Sequence, residues 1–139
     1  MKMLQNTNSL PSWLDDETSA LIRDIIEVLA EQRSDLLAVI LYGSVARHEE
    51  RPLDDVEPSD VDLLLILNID DPHILLRQYT ALSFTLGEAR DRHLDAPREV
   101  QVMFSTRTMQ EWDPTFIEHV RRDGIVLFAR GALPAPLAA

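Results

Sequence analysis

The most apolar run of this chain, Val61 with residues 63–67, is headed by two aspartates one residue apart, Asp60 and Asp62. Two anions at the start of an apolar strand cost stability unless something positive sits between them. A second apolar run, residues 36–42, ends on Gly43-Ser44. The order reads strand, Gly-Ser turn, short helix, acidic loop, then Ser59-Asp60-Val61-Asp62 opening the next strand. Solvated charges at an exposed strand end are the plain alternative. The Gly-Ser turn upstream, with Arg47 one helical turn on, argues against it.

Strand side chains alternate, so Asp60 and Asp62 share a face. Their Cα atoms lie roughly 6.5 Å apart, close enough to converge on one cation or a close pair. A Gly-Ser turn into a helix start presents backbone N–H groups to a phosphate. Carboxylates on the neighbouring strand can hold Mg²⁺ against the same phosphate. Arg47 reads either as a phosphate contact, suited to a planar five-donor cation, or as a surface helix charge. Ser59 reads equally as a substrate contact or as a residue that orients the Asp60 loop.

The segments Leu41-Tyr42-Gly43-Ser44-Val45-Ala46-Arg47 and Ser59-Asp60-Val61-Asp62-Leu63-Leu64 resemble the polymerase β-like nucleotidyltransferases. The likeness is greatest to the small standalone minimal type, MNT, which often pairs with a helical HEPN partner. It extends through the order of elements over residues 36–128. The resemblance implies an α+β nucleotidyltransferase fold, a mixed β-sheet of about four strands flanked by helices. It implies Mg²⁺, with Mn²⁺ as an alternative, and ATP or another nucleoside triphosphate. It implies transfer of a nucleoside monophosphate, AMP in the first instance, to a protein or small-molecule acceptor, with the antitoxin role of a HEPN/MNT pair as one setting. On that basis Asp60 and Asp62 are the metal ligands and catalytic acids. Gly43, Ser44, Arg47 and Ser59 are the nucleotide-binding set.

Three departures qualify the resemblance. His48 stands where the family has a glycine, and glycine permits backbone angles that histidine tolerates poorly. Residues 47–59 form a longer loop, acidic and punctuated by Pro52 and Pro58. The family's third carboxylate, on a later strand, matches Gln101, whose amide has no charge and cannot serve as a base. Glu99 shares the face of Gln101 but lies one strand repeat away, roughly 6.5 Å. Gln101 is therefore expected to face the aspartate pair and Glu99 to stand away from it. The alternative function is a catalytically degenerate nucleotide-binding partner or antitoxin subunit.

At 139 residues the chain suits one domain with one core. No apolar stretch is long enough to span a membrane, and the N-terminus lacks a signal peptide's apolar centre. There is no cysteine, so disulfides and thiolate metal sites are excluded. A cytoplasmic location is the expectation. The net charge of −11, with 24 acids against 13 bases, argues against a long nucleic acid and for a small acceptor or a basic protein partner. Homo-oligomerisation stays open. His48, His73, His93 and His119 show no metal-ligand spacing. No P-loop and no Gly-x-Ser-x-Gly elbow occurs.

The remaining pattern gives a loose arm over residues 1–11, the nucleotidyltransferase-like domain over 12–130 and a flexible tail over 131–139. Ser12 is the expected cap of a first helix, followed by Asp15, Asp16 and Glu17. Strands are expected over 36–42, 60–67, 98–105 and 125–128. Helices are expected over 44–49, over 72–93 with Leu75, Leu76, Tyr79, Leu82, Phe84 and Leu86 inward, and over 108–112 and 115–122, the last ended by Gly124. Trp13 and Trp112 read as packing residues.

Overall fold

The computed structural model describes Gln5–Asn6 and residues 9–138. In chain order the elements are β1 (Gln5–Asn6), α1 (Asp16–Gln32), β2 (Leu36–Tyr42), α2 (Gly43–Ala46), β3 (Val61–Leu67), α3 (Pro72–Arg77), α4 (Tyr79–Asp91), β4 (Val100–Ser105), α5 (Pro114–Asp123) and β5 (Ile125–Ala129), then a single 3-10 turn, Ala135–Leu137. The sheet order is β1-β5-β2-β3-β4. β2 runs antiparallel to β3 and β5, whereas β4 is parallel to β3 and β1 to β5. This is the mixed sheet of an α+β nucleotidyltransferase fold: four strands of five to seven residues, with a two-residue strand at one edge.

The central strands are buried on both faces, which is why they read as continuous apolar runs. One face, with Leu41, Leu63 and Leu65, packs on Ile22, Ile25 and Leu29 of α1 and Leu82 and Leu86 of α4. The other, with Ile40, Leu64 and Ile66, packs on Val120 of α5, Met109 and Leu137. Alternation along β3 puts Asp62 on this second face, in line with Leu64 and Ile66.

Several elements differ from expectation for identifiable reasons. Asp15, not Ser12, caps α1; its carboxylate accepts the Thr18 N–H at 2.8 Å. The expected long helix over 72–93 breaks at Gln78, whose side chain takes a hydrogen bond from Arg33 Nη1 at 3.2 Å, a tertiary contact no local pattern announces. Phe84 is 71% exposed and Leu76 62%. At 100° per residue Phe84 lies about 200° from both Leu82 and Leu86, so it cannot share their face.

Residues 108–112 form turns rather than a helix. There the Glu111 carboxylate accepts from the Thr106 N–H at 2.8 Å, Thr106 Oγ1 at 2.6 Å and Ser105 Oγ at 3.1 Å, and Met109 is fully buried at φ 57°. Gly124 does end α5, but in extended rather than left-handed geometry.

Both terminal segments carry structure. Gln5–Asn6, within the arm expected to be loose, pairs with Ile125 and Val126. In the tail expected to be flexible, Leu137 is 2% exposed and joins the α5 core.

Candidate functional site

β2 and β3 pair so that Tyr42 lies opposite Asp62. Gly43 follows at the top of β2 with φ +80°, a left-handed angle that favours glycine. A Cβ at Gly43 would collide with Asp62 Oδ2. The turn and the acid are thus in close approach, and a side chain at position 43 would make the Asp62 carboxylate shift. The Gly-Ser signature and the Asp-x-Asp signature, 17 positions apart between Gly43 and Asp60, meet because β2 and β3 are antiparallel neighbours.

Asp62 is half-buried, and two effects push its carboxyl above the usual range: first burial, then the negative charge of Asp60. The Arg47 guanidinium opposes both. Tyr42 responds to the same field. Its phenol is pushed up to about 12, first by burial and then by the Asp62 carboxylate. Its ring stands edge-on to Phe116 of α5, with centroids 5.4 Å apart. Among the described residues, no side chain donates a hydrogen bond to Asp60 or Asp62. An incompletely compensated pair of carboxylates, one of them half-buried, is a donor set that fits a hard divalent cation with oxygen ligands. A nucleotide phosphate and water would have to complete the shell, since no group of three or more His, Cys, Asp or Glu with metal-holding geometry occurs among the described residues.

Gln101 pairs with Asp62 across the parallel β3–β4 ladder and therefore faces the same way. Its Nε2 donates to Glu99 Oε2 at 3.2 Å. Glu99 lies one residue before β4, where its carbonyl accepts the Val61 N–H at 2.8 Å. With Asp60, Arg51, Glu57, Pro58 and Pro97 it lines an open cavity of about 470 Å³. Glu99 is thus a neighbour of Asp60, and Gln101 of Asp62.

The other expected residues sit as follows. Ser44 is the second residue of α2, and its carbonyl accepts the Glu49 N–H at 2.8 Å. Arg47 closes α2 and bonds Glu49 through Nε at 3.2 Å. Ser59 is 4% exposed, and its hydroxyl accepts the Arg51 N–H at 2.7 Å, so it orients the acidic loop. His48 adopts φ 58°, a left-handed angle that glycine would take without strain. Its ring stacks on Trp13 with centroids 4.3 Å apart, and Trp13 Nε1 donates to the Val45 carbonyl at 2.7 Å. The indole holds both the exit of α2 and its misfit residue. Sequence reasoning missed Tyr42 and Arg98. Tyr42 needed the β2–β3 register, and Arg98 has its partners 39 and 47 positions away.

Comparison with known proteins agrees with this architecture. The sequence model described as Polymerase beta, Nucleotidyltransferase matches residues 23–132. A crystal structure of a toxin–antitoxin with AMP-PNP superposes with a TM-score of 0.51 at 16% identity, over 84% of this chain and 76% of that one. A mutant of the toxin–antitoxin MntA–HpeT does so with a TM-score of 0.50 at 15% identity, over 78% and 73%. At these identities the likeness is one of fold. No curated protein sequence matches.

Proposed function

This chain belongs to the polymerase beta nucleotidyltransferase family, and from that premise we propose that it is a Mg²⁺-dependent nucleotidyltransferase that moves AMP from ATP to an acceptor hydroxyl. The observation that carries the reading is the close approach of Asp62 to Gly43, which brings a cation-seeking acid pair to the turn where a phosphate would lie. Asp60 and Asp62 hold the metal. The first backbone N–H groups of α2, at Gly43 and Ser44, cradle the triphosphate, Arg47 borders it, and Ser59 orients the loop that presents Asp60. Bound Mg²⁺ supplies charge neutralisation on the phosphates. The chain's own residues supply position: they hold the α-phosphate in line between the acceptor oxygen and the departing pyrophosphate.

The acceptor is a protein or a small molecule, and the setting is the antitoxin role in a pair with a small helical HEPN-type partner. Support comes from the fold shared with two toxin–antitoxin structures and from the net charge of −11. The second carries only so far as it disfavours a polyanionic acceptor.

A second reading is favoured by Gln101. A neutral amide opposite Asp62 leaves no base at that position, and the chain would then be a nucleotide-binding partner subunit without turnover.

The test is calorimetry of ATP with and without Mg²⁺, followed by incubation with labelled ATP and the partner chain and mass spectrometry for an added nucleotide. Asp60→Asn with Asp62→Asn is expected to abolish metal-dependent binding in a folded protein. Unchanged affinity in that double variant refutes both readings, whereas binding without transfer to any acceptor selects the second.

A further inference from the structure

Arg98 is 7% exposed, and a guanidinium is almost never buried without partners. Its Nη1 donates to the carbonyls of Arg51 at 2.9 Å and Ser59 at 2.8 Å. Its Nε stands 3.9 Å from Asp15 Oδ1 at the start of α1. Arg51 and Ser59 are bound to each other as well: Ser59 Oγ accepts the Arg51 N–H at 2.7 Å, and the Ser59 N–H donates to the Arg51 carbonyl at 3.5 Å. One nitrogen therefore grips both sides of the neck of the acidic loop.

The neck leads directly into the site. Ser59 precedes Asp60, and Val61 follows it with its N–H on the Glu99 carbonyl at 2.8 Å. The residues on both sides of Asp60 are thus anchored by neighbours in the chain, Arg98 and Glu99. The loop beyond the neck is exposed from Arg51 to Glu57 and is held by bonds within itself, Arg51 Nε to the Glu57 carbonyl at 2.5 Å and the Glu57 N–H to Asp55 Oδ1 at 2.9 Å.

We infer that Arg98 is a positioning residue for the aspartate pair: by clamping the Arg51–Ser59 neck and tying it to Asp15, it fixes where Asp60 presents its carboxylate. This rests on the proposed reading that Asp60 and Asp62 hold a metal–triphosphate. Lysine is a poor substitute, because Nη1 holds the two carbonyls while Nε of the same guanidinium faces Asp15, a two-sided reach that a single ammonium does not reproduce. Groups that orient metal ligands typically change metal affinity by about 10–100-fold when removed.

The experiment is a Mg²⁺ titration of ATP binding by calorimetry on the full chain, with amide hydrogen exchange read in parallel. The unsubstituted protein is measured first; absence of Mg²⁺-dependent binding there refutes the two-aspartate reading and this inference with it. Given binding, Arg98→Met is expected to raise the half-saturating Mg²⁺ concentration about tenfold and to speed exchange at residues 59–61. Asp60→Asn should then cost less in the Arg98→Met background than alone, because both act on the same ligand. An unchanged Mg²⁺ midpoint in a folded variant, or full additivity, overturns the inference and leaves the two-aspartate reading standing. If Arg98→Met does not fold, Arg98→Lys carries the same test. It is expected to weaken Mg²⁺ dependence while keeping the charge, and an unchanged midpoint overturns the inference equally.

Discussion

At Gly43 a single hydrogen in place of a side chain lets the Asp62 carboxylate lie against the turn. Gly43→Ala would force both a left-handed alanine and a collision with Asp62, strains of about 1–3 kcal/mol at such positions. The expected outcome is a folded protein with a lower melting temperature and at least tenfold weaker Mg²⁺–ATP binding, measured by thermal unfolding and calorimetry. Asp62 supplies the second prediction at this scale. Its folded carboxyl is held above its ordinary 3.8 by burial and by Asp60, so the folded state holds the proton more tightly than the unfolded one. The ionised form therefore subtracts stability. The penalty is absent below the unfolded value, grows as pH rises toward the raised folded value, and stays constant above it. Solvent screening at a half-exposed group keeps it small. Asp62→Asn should stabilise the metal-free protein by about 0.5 kcal/mol near neutral pH, and the gain should vanish on acidification below 3.8. Thermal unfolding across pH checks both limbs. His48 shows the same economy in reverse: a left-handed non-glycine residue, costing about 1–2 kcal/mol, lies under an aromatic stack.

Among the elements, the β3–β4 ladder sets what chemistry the site can do. Parallel pairing of Asp62 with Gln101 puts the amide beside the acid pair, whereas Glu99 sits two residues earlier and takes the Gln101 amide. Gln101→Asp adds a carboxylate at that rung. The expected outcome is tighter Mg²⁺ binding and a nucleotide-transfer rate raised by about tenfold or more, since a general base of this kind contributes about 10²–10⁴-fold. Assay of transfer with labelled ATP checks the rate. If Glu99 instead carries the role, Glu99→Gln is the damaging change and Gln101→Asp slows transfer by crowding the site with another anion.

Across the whole molecule, two packed layers enclose the sheet, and the second extends into the C-terminal segment. Leu137 reaches the core under α5 alongside Val120 and Met109. Leu137→Ala should cost about 2 kcal/mol, as for other buried leucines, read from denaturant midpoints at constant slope. A loss near zero would mean that the segment does not pack in solution. The same scale governs partners. The excess of 24 acidic over 13 basic residues leaves a field that repels polyanions and draws basic surfaces.

Local chemistry by itself determined the four longer strands, the acid pair and the turn, but not the two-residue strand Gln5–Asn6. Residues 36–42 came out as a strand without change and Asp60-x-Asp62 as the head of the next, because a continuous apolar run with alternating geometry has few other solutions. The side of Gln101 was legible too, since its face depends only on strand parity and on which residues of β4 reach the core. What tertiary structure alone decided were contacts between distant residues. The bond between Gln78 and Arg33 joins residues 45 positions apart, the Asp62–Gly43 approach depends on the β2–β3 register, the orientation of Ser59 on Arg51 and Arg98, and the burial of Leu137 on α5. A local pattern encodes backbone preference and the face a side chain takes. It does not encode which carbonyl, 47 positions away, a buried guanidinium will find.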